Sequence, residues 1–346
     1  MRVKGIMDAR ITKSRLSRVL SYDWFKILIL VVAIAFFWSL LFTMGAPRAS
    51  VGQTFDLFVY SDFSGKSDGE VLNEASENGA FSYDVLKFGT RSLSKDYYNT
   101  VLSAVITTYE GDLMITSDFQ DAIDKNESRA RAFVDSYGNI VYDIPSLVAD
   151  AKNYCVSNGM VAAVSPDGDE EAGYILDEAA VERVFRARMK NDPRFRTEEK
   201  KREGIKKEIA RVKKVWNDAI NVENLITNHP EALWNYERFD QTANAETDEK
   251  RKSEYEKLKE DGGGVKAYGI NLGALTGGEK EITSLYSKAT YNEKNEIVST
   301  SADGIIVLAF NYKSQQPHLQ YETLGFINYI LKTYSNFVTA DNRLIA

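Results

Sequence analysis

The sequence predicts an α/β protein in which a single N-terminal transmembrane helix leads into one large domain, and three observations carry this prediction. An uncharged run of 18 residues, Ile27 to Met44, nearly crosses a bilayer as a helix whose backbone hydrogen bonds stay internal. Strand-like and helix-like patterns alternate between residues 54 and 119, as they do in a parallel sheet with helical crossovers. Near the C-terminus a continuous apolar run, Gly304 to Asn311, precedes an amphipathic helix.

The charges that flank the apolar run predict its orientation. Residues 1–26 carry seven basic side chains against two acidic ones, a net charge of +5. Because positive flanks stay on the cytoplasmic side, we expect a single-pass protein of the cell membrane with a cytoplasmic tail and an extracellular domain. A cleaved signal peptide is the alternative, which the length of the run and the stiff junction at Pro47 disfavour. No cysteine directly follows the run, so a lipoprotein anchor is excluded.

Composition indicates where the large domain lies and which partners it disfavours. Cys155 is the only cysteine, so no intramolecular disulfide can form, and an extracellular domain without disulfides fits a bacterial surface. Its apolar neighbours make Cys155 a buried small hydrophobe rather than a nucleophile. Removing the +5 of the tail from the formal charge of −7 leaves −12 for the remainder, which disfavours a nucleic-acid partner.

The first elements after the linker at residues 45–52 predict the sheet. Residues 54–60 and 112–116 are rich in β-branched and aromatic residues and indicate strands, and residues 80–88 alternate like a third. Ser94 is a suitable N-cap for a helix over residues 95–109, whose apolar positions share one face. Together they predict parallel strands joined by helices.

The middle of the chain is predicted to be mostly helical. Residues 133–143 suggest a hairpin, followed by helices over 145–155 and 176–189. Thr197 caps a long helix with a solvated, basic outer face and a narrow apolar seam formed by Ile205, Ile209, Val212, Trp216 and Ala219. The acidic loop at 166–171 has carboxylates but not the spacing of a calcium loop, so a solvated loop is favoured.

No catalytic or metal-binding motif stands out. His229 and His318 are the only histidines and neither has a metal-ligand spacing. The chain has no nucleophile elbow and no phosphate-binding loop. We therefore expect a protein that is not an enzyme and that uses no cofactor or metal.

The strand ends provide the candidate site. In open parallel sheets, ligands bind beyond the carboxyl ends of the strands. Tyrosines there can stack on a ligand while hydroxyls, amides and carboxylates orient it. The alternative is that the serines and aspartates only cap the following helices. The predicted ligand-binding residues are Tyr60, Ser61, Asp62, Ser117, Asp118, Tyr268, Asn311 and Tyr312.

Two segments carry a resemblance to a known family. Residues 93–118, in which a helix leads through Gly111-Asp112 into a strand, and residues 304–334 resemble stretches of bacterial extracellular solute-binding proteins of the two-lobed periplasmic type. Closest in character are the membrane-anchored, functionally uncharacterised relatives found in Gram-positive bacteria. The charged helical region at 176–260 and the transmembrane anchor depart from the usual family pattern.

The resemblance implies a two-lobed, periplasmic-binding-protein-like ectodomain with a charged helical insertion. Lobe one would comprise residues 53–128 and 265–346, and residues 129–264 would form the second, mostly helical lobe. Its implied function is membrane-tethered binding of a small solute or peptide. The alternative is an adaptor of the cell envelope that docks another membrane or surface protein through its helical region.

Overall fold

The computed structural model describes residues 13–14, 17, 24–45, 49, 51–60, 62–94, 98–108, 110–119, 128–164, 173–237, 265–291, 294, 296–311, 318, 320–337 and 344–345. The chain divides into two compact units, Met1–Arg48 and Ala49–Ala346. The first contains helix α1, Trp24–Gly45, which begins three residues before the predicted run. Its window Trp24–Leu41 has a mean hydropathy of 2.4 and is not buried. By length and composition this helix is able to cross a membrane.

The second unit contains the remaining helices and all the strands described. Its helices are α2 Asp68–Glu77, α3 Tyr98–Thr108, α4 Arg129–Tyr137, α5 Ile144–Ser157, α6 Glu178–Arg188, α7 Glu198–Asn228 and α8 Tyr321–Tyr334. Its strands are β1 Thr54–Tyr60, β2 Ser64–Gly65, β3 Lys87–Leu93, β4 Leu113–Ser117, β5 Val141–Tyr142, β6 Val161–Val164, β7 Gly173–Leu176, β8 Leu233–Tyr236, β9 Lys266–Asn271, β10 Tyr286–Tyr291, β11 Ile297–Ser301, β12 Ile305–Phe310 and β13 Leu344–Ile345.

The central sheet is mixed rather than parallel throughout. Its order is β3-β1-β4-β12-β9-β8, and β5 pairs with the end of β12. Strands β1, β3 and β4 are parallel, which confirms the predicted strand–helix–strand order of the first third. Strand β12 is buried along its whole length, as predicted, but it runs antiparallel to β4 and β9. Two small sheets, β11-β10-β2 and β13-β7-β6, complete the unit.

Two local predictions are wrong, and side-chain contacts explain both. Residues 80–86 form a loop instead of a strand, because Phe81 packs on Phe326 while Asp84 is buried against Arg194 at 2.7 Å. The predicted hairpin at 133–143 begins as helix α4. The Ser128 hydroxyl caps it by accepting from the Arg131 amide at 3.2 Å, and the helix buries one face of its side chains in the core.

The long helix α7 begins as predicted, with the Thr197 hydroxyl accepting from the backbone amide of Lys200. Its apolar seam is buried at Val212, Trp216 and Ala219. The basic face is not wholly solvated, however, because the Arg211 side chain is only 1% exposed. A buried guanidinium requires partners, and those belong to the site described below.

One apolar core extends through much of the second unit. It joins Leu57 of β1, Leu147 of α5, Trp216 of α7 and Phe326 of α8 in a single cluster. The helices of the middle region therefore pack in the same core as the strands that flank it in sequence. The division into lobes at residues 128 and 264 stays a prediction. Residues 166–171 and 243–264 lie outside the described part of the chain.

Candidate functional site

The structure brings together the predicted residues at the ends of β1 and β4. Tyr60 and Ser117 end these neighbouring parallel strands; Asp118 directly follows β4, and Asp62 lies two residues after β1. Ser61 and Tyr312 lie outside the described residues. Tyr60 and Ser117 are buried, whereas the Asp62 side chain is 42% exposed.

Two predicted residues lie away from this edge. Asn311 follows β12, and because β12 is antiparallel to β4, it lies at the opposite edge of the sheet. There its amide group donates to the Asn139 carbonyl at 3.0 Å. Tyr268 is buried within β9, at the level where β4 begins rather than where it ends. Asn311 was expected at the carboxyl edge as the end of a parallel strand, but β12 is antiparallel to β4. Tyr268 was expected there as the beginning of a returning strand, but β9 runs parallel to β4, so its beginning lies at the opposite edge.

Arginines from α4 neutralise the two aspartates. Arg129 pairs with Asp62 at 2.6 Å, and its guanidinium carbon lies 4.6 Å from the centroid of the Tyr60 ring. Arg131 donates to both oxygens of Asp118 at 2.8 and 3.0 Å. Sequence reasoning missed these arginines because the hairpin predicted at 133–143 overlaps the helix that begins at Arg129.

Asp118 also receives a hydrogen bond from strand β8, where the indole Nε1 of Trp234 donates at 2.9 Å. Burial acts to raise the pKa of Asp118, but hydrogen bonds from Arg131, Ser128 and Trp234 outweigh it and hold the pKa below its ordinary value. Both carboxylate oxygens therefore bind groups of the fold itself. This arrangement ties α4 and β8 to the end of β4.

A second arrangement, which we call the polar cavity, lies between α7, α8 and the turn after α2 and has a volume of about 440 Å³. Helix periodicity explains which residues line the cavity. Residues three or four apart share a helix face, as do Lys214, Asn217 and Asp218 of α7. The same rule places Gly325, Asn328, Tyr329, Lys332 and Thr333 on one face of α8.

The floor of the polar cavity is a hydrogen-bonded chain in which Asp218, Asn328 and Asn221 are buried. The Lys214 ammonium donates to Asp218, and the Asn328 amide nitrogen donates to the other oxygen of Asp218 at 2.6 Å. Asn221 in turn donates to the Asn328 carbonyl oxygen at 3.0 Å. Burial raises the pKa of Asp218 above its ordinary value, although Lys214 and Lys332 act to lower it. The Asp218 carboxylate on the cavity floor has therefore lost much of its hydration.

Gly325 allows the backbone at Ala80 and the Lys214 side chain to approach α8 closely at this cavity. A Cβ atom at this position would lie 2.2 Å from the Ala80 carbonyl oxygen and 2.7 Å from the Lys214 ammonium nitrogen. Sequence reasoning missed the cavity residues because it recorded only the apolar face of this C-terminal helix. Their signal was polar residues at helical spacing on a helix that is otherwise apolar.

A closed ion network adjoins the cavity on the same two helices. Arg211 donates to both oxygens of Glu322, at 3.0 and 2.9 Å, and to the His318 carbonyl at 2.6 Å. Arg188 pairs with Glu208 at 2.8 Å. Burial acts to raise the pKa of Glu322, but Arg211 outweighs it and lowers the pKa below its ordinary value. Because these charged groups pair with one another, this network serves to hold the fold.

Within the part of the chain that the structure describes, no cluster of three or more His, Cys, Asp or Glu side chains is arranged to hold a metal ion. Comparisons of the chain with protein-family models, with curated proteins and with solved structures give no match. The site must therefore be interpreted from its own geometry.

Proposed function

We propose that this protein is a membrane-tethered, non-catalytic binding protein whose large domain lies outside the cell membrane and binds a small polar solute in the polar cavity. Helix α1 supplies the tether by its length and composition. The excess of positive charge before it supports a cytoplasmic N-terminus. The cavity supplies the binding site.

The observation that carries the proposal is the composition of that cavity. Its volume of about 440 Å³ falls in the range of roughly 300–1,000 Å³ that small-molecule pockets occupy. Such pockets are commonly lined by apolar and aromatic side chains. Here the lining is lysine, aspartate, glutamate, asparagine, threonine and one tyrosine, with Gly79, Ala80 and Gly325 as its only other members. This lining favours a polar solute over a lipid or an apolar peptide.

The alternative, an adaptor that docks an envelope protein through its helical region, predicts an exposed apolar stripe on α7. The seam residues Val212, Trp216 and Ala219 are instead buried in the core. The apolar face of this helix is used within the domain, which leaves the adaptor function without the feature that would favour it.

Binding is tested by analysing what accompanies the purified protein. The full chain is extracted in a detergent without a sugar headgroup and denatured, and the released small molecules are identified by mass spectrometry. The control is Asp218→Asn, which keeps the shape of the side chain and removes its charge. We expect a compound that is enriched in the parent and depleted in the control. Equal amounts in both proteins would contradict binding in this cavity.

Topology is tested with protease added to intact protoplasts. We expect loss of the domain that follows residue 50 and retention of the tail at 1–26, because a single tether separates the two. Full protection of the domain would contradict an extracellular location.

A further inference from the structure

The polar cavity combines hydrogen-bond donors with acceptors at close quarters. On its floor, the Lys214 ammonium is bonded to the Asp218 carboxylate, and the Asn328 amide nitrogen donates to the same carboxylate at 2.6 Å. At its exposed rim, Lys332 is a donor and Glu279 an acceptor. Lysine only donates and an ionised carboxylate only accepts. A ligand group in this cavity therefore meets a donor beside an acceptor.

A hydroxyl group suits such a lining because it donates one hydrogen bond and accepts others. Asparagine and threonine side chains, which also line the cavity at Asn78, Asn217 and Thr333, have the same dual capacity. Adjacent hydroxyls of one ligand would each find both kinds of partner.

The charges of the lining select against ionic ligands. Two lysines, Lys214 and Lys332, face two carboxylates, Asp218 and Glu279, so the formal charges balance. An inorganic anion would lie near two carboxylates, and an organic cation near two ammonium groups. On the cavity floor, Lys214 and Asp218 contact each other and neutralise one another, so neither is a separate subsite for one charge of a zwitterion.

We propose that the polar cavity takes a neutral, polyhydroxylated solute of the size of a mono- or disaccharide, an inference that rests on the binding function proposed above. The buried chain from Asn221 through Asn328 to Asp218 fixes the floor against which the hydroxyls would be oriented. The burial that raises the pKa of Asp218 supports this assignment, since hydroxyl donors would replace part of its lost hydration.

The test is isothermal titration calorimetry on the full chain in a detergent without a sugar headgroup. The probes are D-glucose, maltose and myo-inositol as polyols, L-alanine and L-glutamate as amino acids, and inorganic phosphate. We expect at least one polyol to bind and neither the amino acids nor phosphate to do so.

Matched variants connect binding to the cavity. Glu279→Gln and Lys332→Ala change exposed rim residues, and each should weaken polyol binding about tenfold by removing a charged hydrogen-bonding partner. Glu281→Gln and Lys206→Ala change exposed residues of the same types outside the cavity and should leave the Kd unchanged. Thermal unfolding of each apo variant shows that the fold is retained.

The outcomes separate the two proposals. Binding of an amino acid or phosphate that Glu279→Gln and Lys332→Ala weaken would overturn the polyol assignment while the binding function stands. Polyol binding that responds equally to the control variants would overturn the cavity as its site. If no probe binds and no compound co-purifies with the parent protein, both the polyol assignment and the binding function fail.

Discussion

Replacing Arg211 by methionine tests whether the closed ion network holds the fold. Methionine keeps a flexible apolar stem but removes the guanidinium, which donates at 3.0 and 2.9 Å to Glu322 and at 2.6 Å to the His318 carbonyl. Breaking a buried ion pair from one side leaves an uncompensated charge and costs about 3–5 kcal/mol. Since domains are stable by only about 5–15 kcal/mol, we expect a large loss in the free energy of unfolding.

The loss in the free energy of unfolding should depend on pH, and the pKa of Glu322 determines whether it grows or shrinks as the pH falls. Burial acts to raise its pKa, but in the parent protein Arg211 outweighs burial and lowers the pKa from 4.5 to about 2. A depressed folded-state pKa stabilises the protein above the unfolded value, and that stability is lost as the pH falls from 4.5 towards 2. Without Arg211, burial favours the neutral form of Glu322 and is opposed by the hydrogen bond from Ser82 and the charge of Lys214. The difference between parent and variant should therefore begin to narrow above pH 4.5, where the buried Glu322 of the variant takes up a proton, and should narrow further as the pH falls.

The measurement is urea unfolding of a shortened chain that begins at Ala49, and the fluorescence of Trp216 and Trp234 reports the transition. Arg202→Met is the matched control, because this arginine is exposed on the same helix. A loss below about 1 kcal/mol at pH 7, in the range of an exposed ion pair, would refute the argument. A loss that stays constant between pH 7 and 4 would refute the role given to Glu322.

Three further predictions concern single residues. Trp234→Phe removes the indole donor to Asp118 and should cost about 1–2 kcal/mol in urea unfolding, whereas an unchanged midpoint would show that Arg131 alone suffices. Thr197→Ala removes the N-cap of α7 and should cost about 1 kcal/mol, with Thr197→Ser as the control that keeps the hydroxyl. Burial raises the pKa of Cys155 to about 11, so a thiol reagent at pH 8 should label it only after unfolding; rapid labelling of the native protein would contradict its burial.

Local patterns in the sequence predicted the elements whose signals are local. The cap at Thr197 and the apolar run of β12 depend on residues adjacent in the chain, and both are present in the structure. For the cap and for β12, the pattern and its structural cause lie within one segment. The parallel pairing of β1 with β4 also follows, because strands that are joined by helical crossovers pair in parallel.

Elements that depend on distant partners were not predictable in this way. Nothing within residues 304–311 indicates that β12 runs antiparallel to β4, so Asn311 was assigned to the wrong edge of the sheet. Residues 80–86 alternate like a strand, but Asp84 is held by Arg194 from more than 100 positions away in the chain. Long-range ion pairs leave no periodic signal in a single segment.

The contact between α7 and α8 shows why the polar cavity was missed and how it arises. On α7, polar residues recur in steps of three or four at Glu208, Arg211, Lys214, Asp218 and Asn221. A polar stripe with the helical period ordinarily faces solvent. Here a complementary stripe on α8 meets it, formed by Glu322, Gly325, Asn328 and Lys332.

The polar stripes of α7 and α8 pack against each other without a gap only at one end. Where Arg211 meets Glu322, long side chains fill the space and pair. Where Asn328 and Asp218 are short, the same polar interface opens into the cavity. The cavity is therefore the continuation of a buried polar contact along the same two helices. A variant that breaks Arg211 from Glu322 should for this reason disturb binding in the cavity as well as stability.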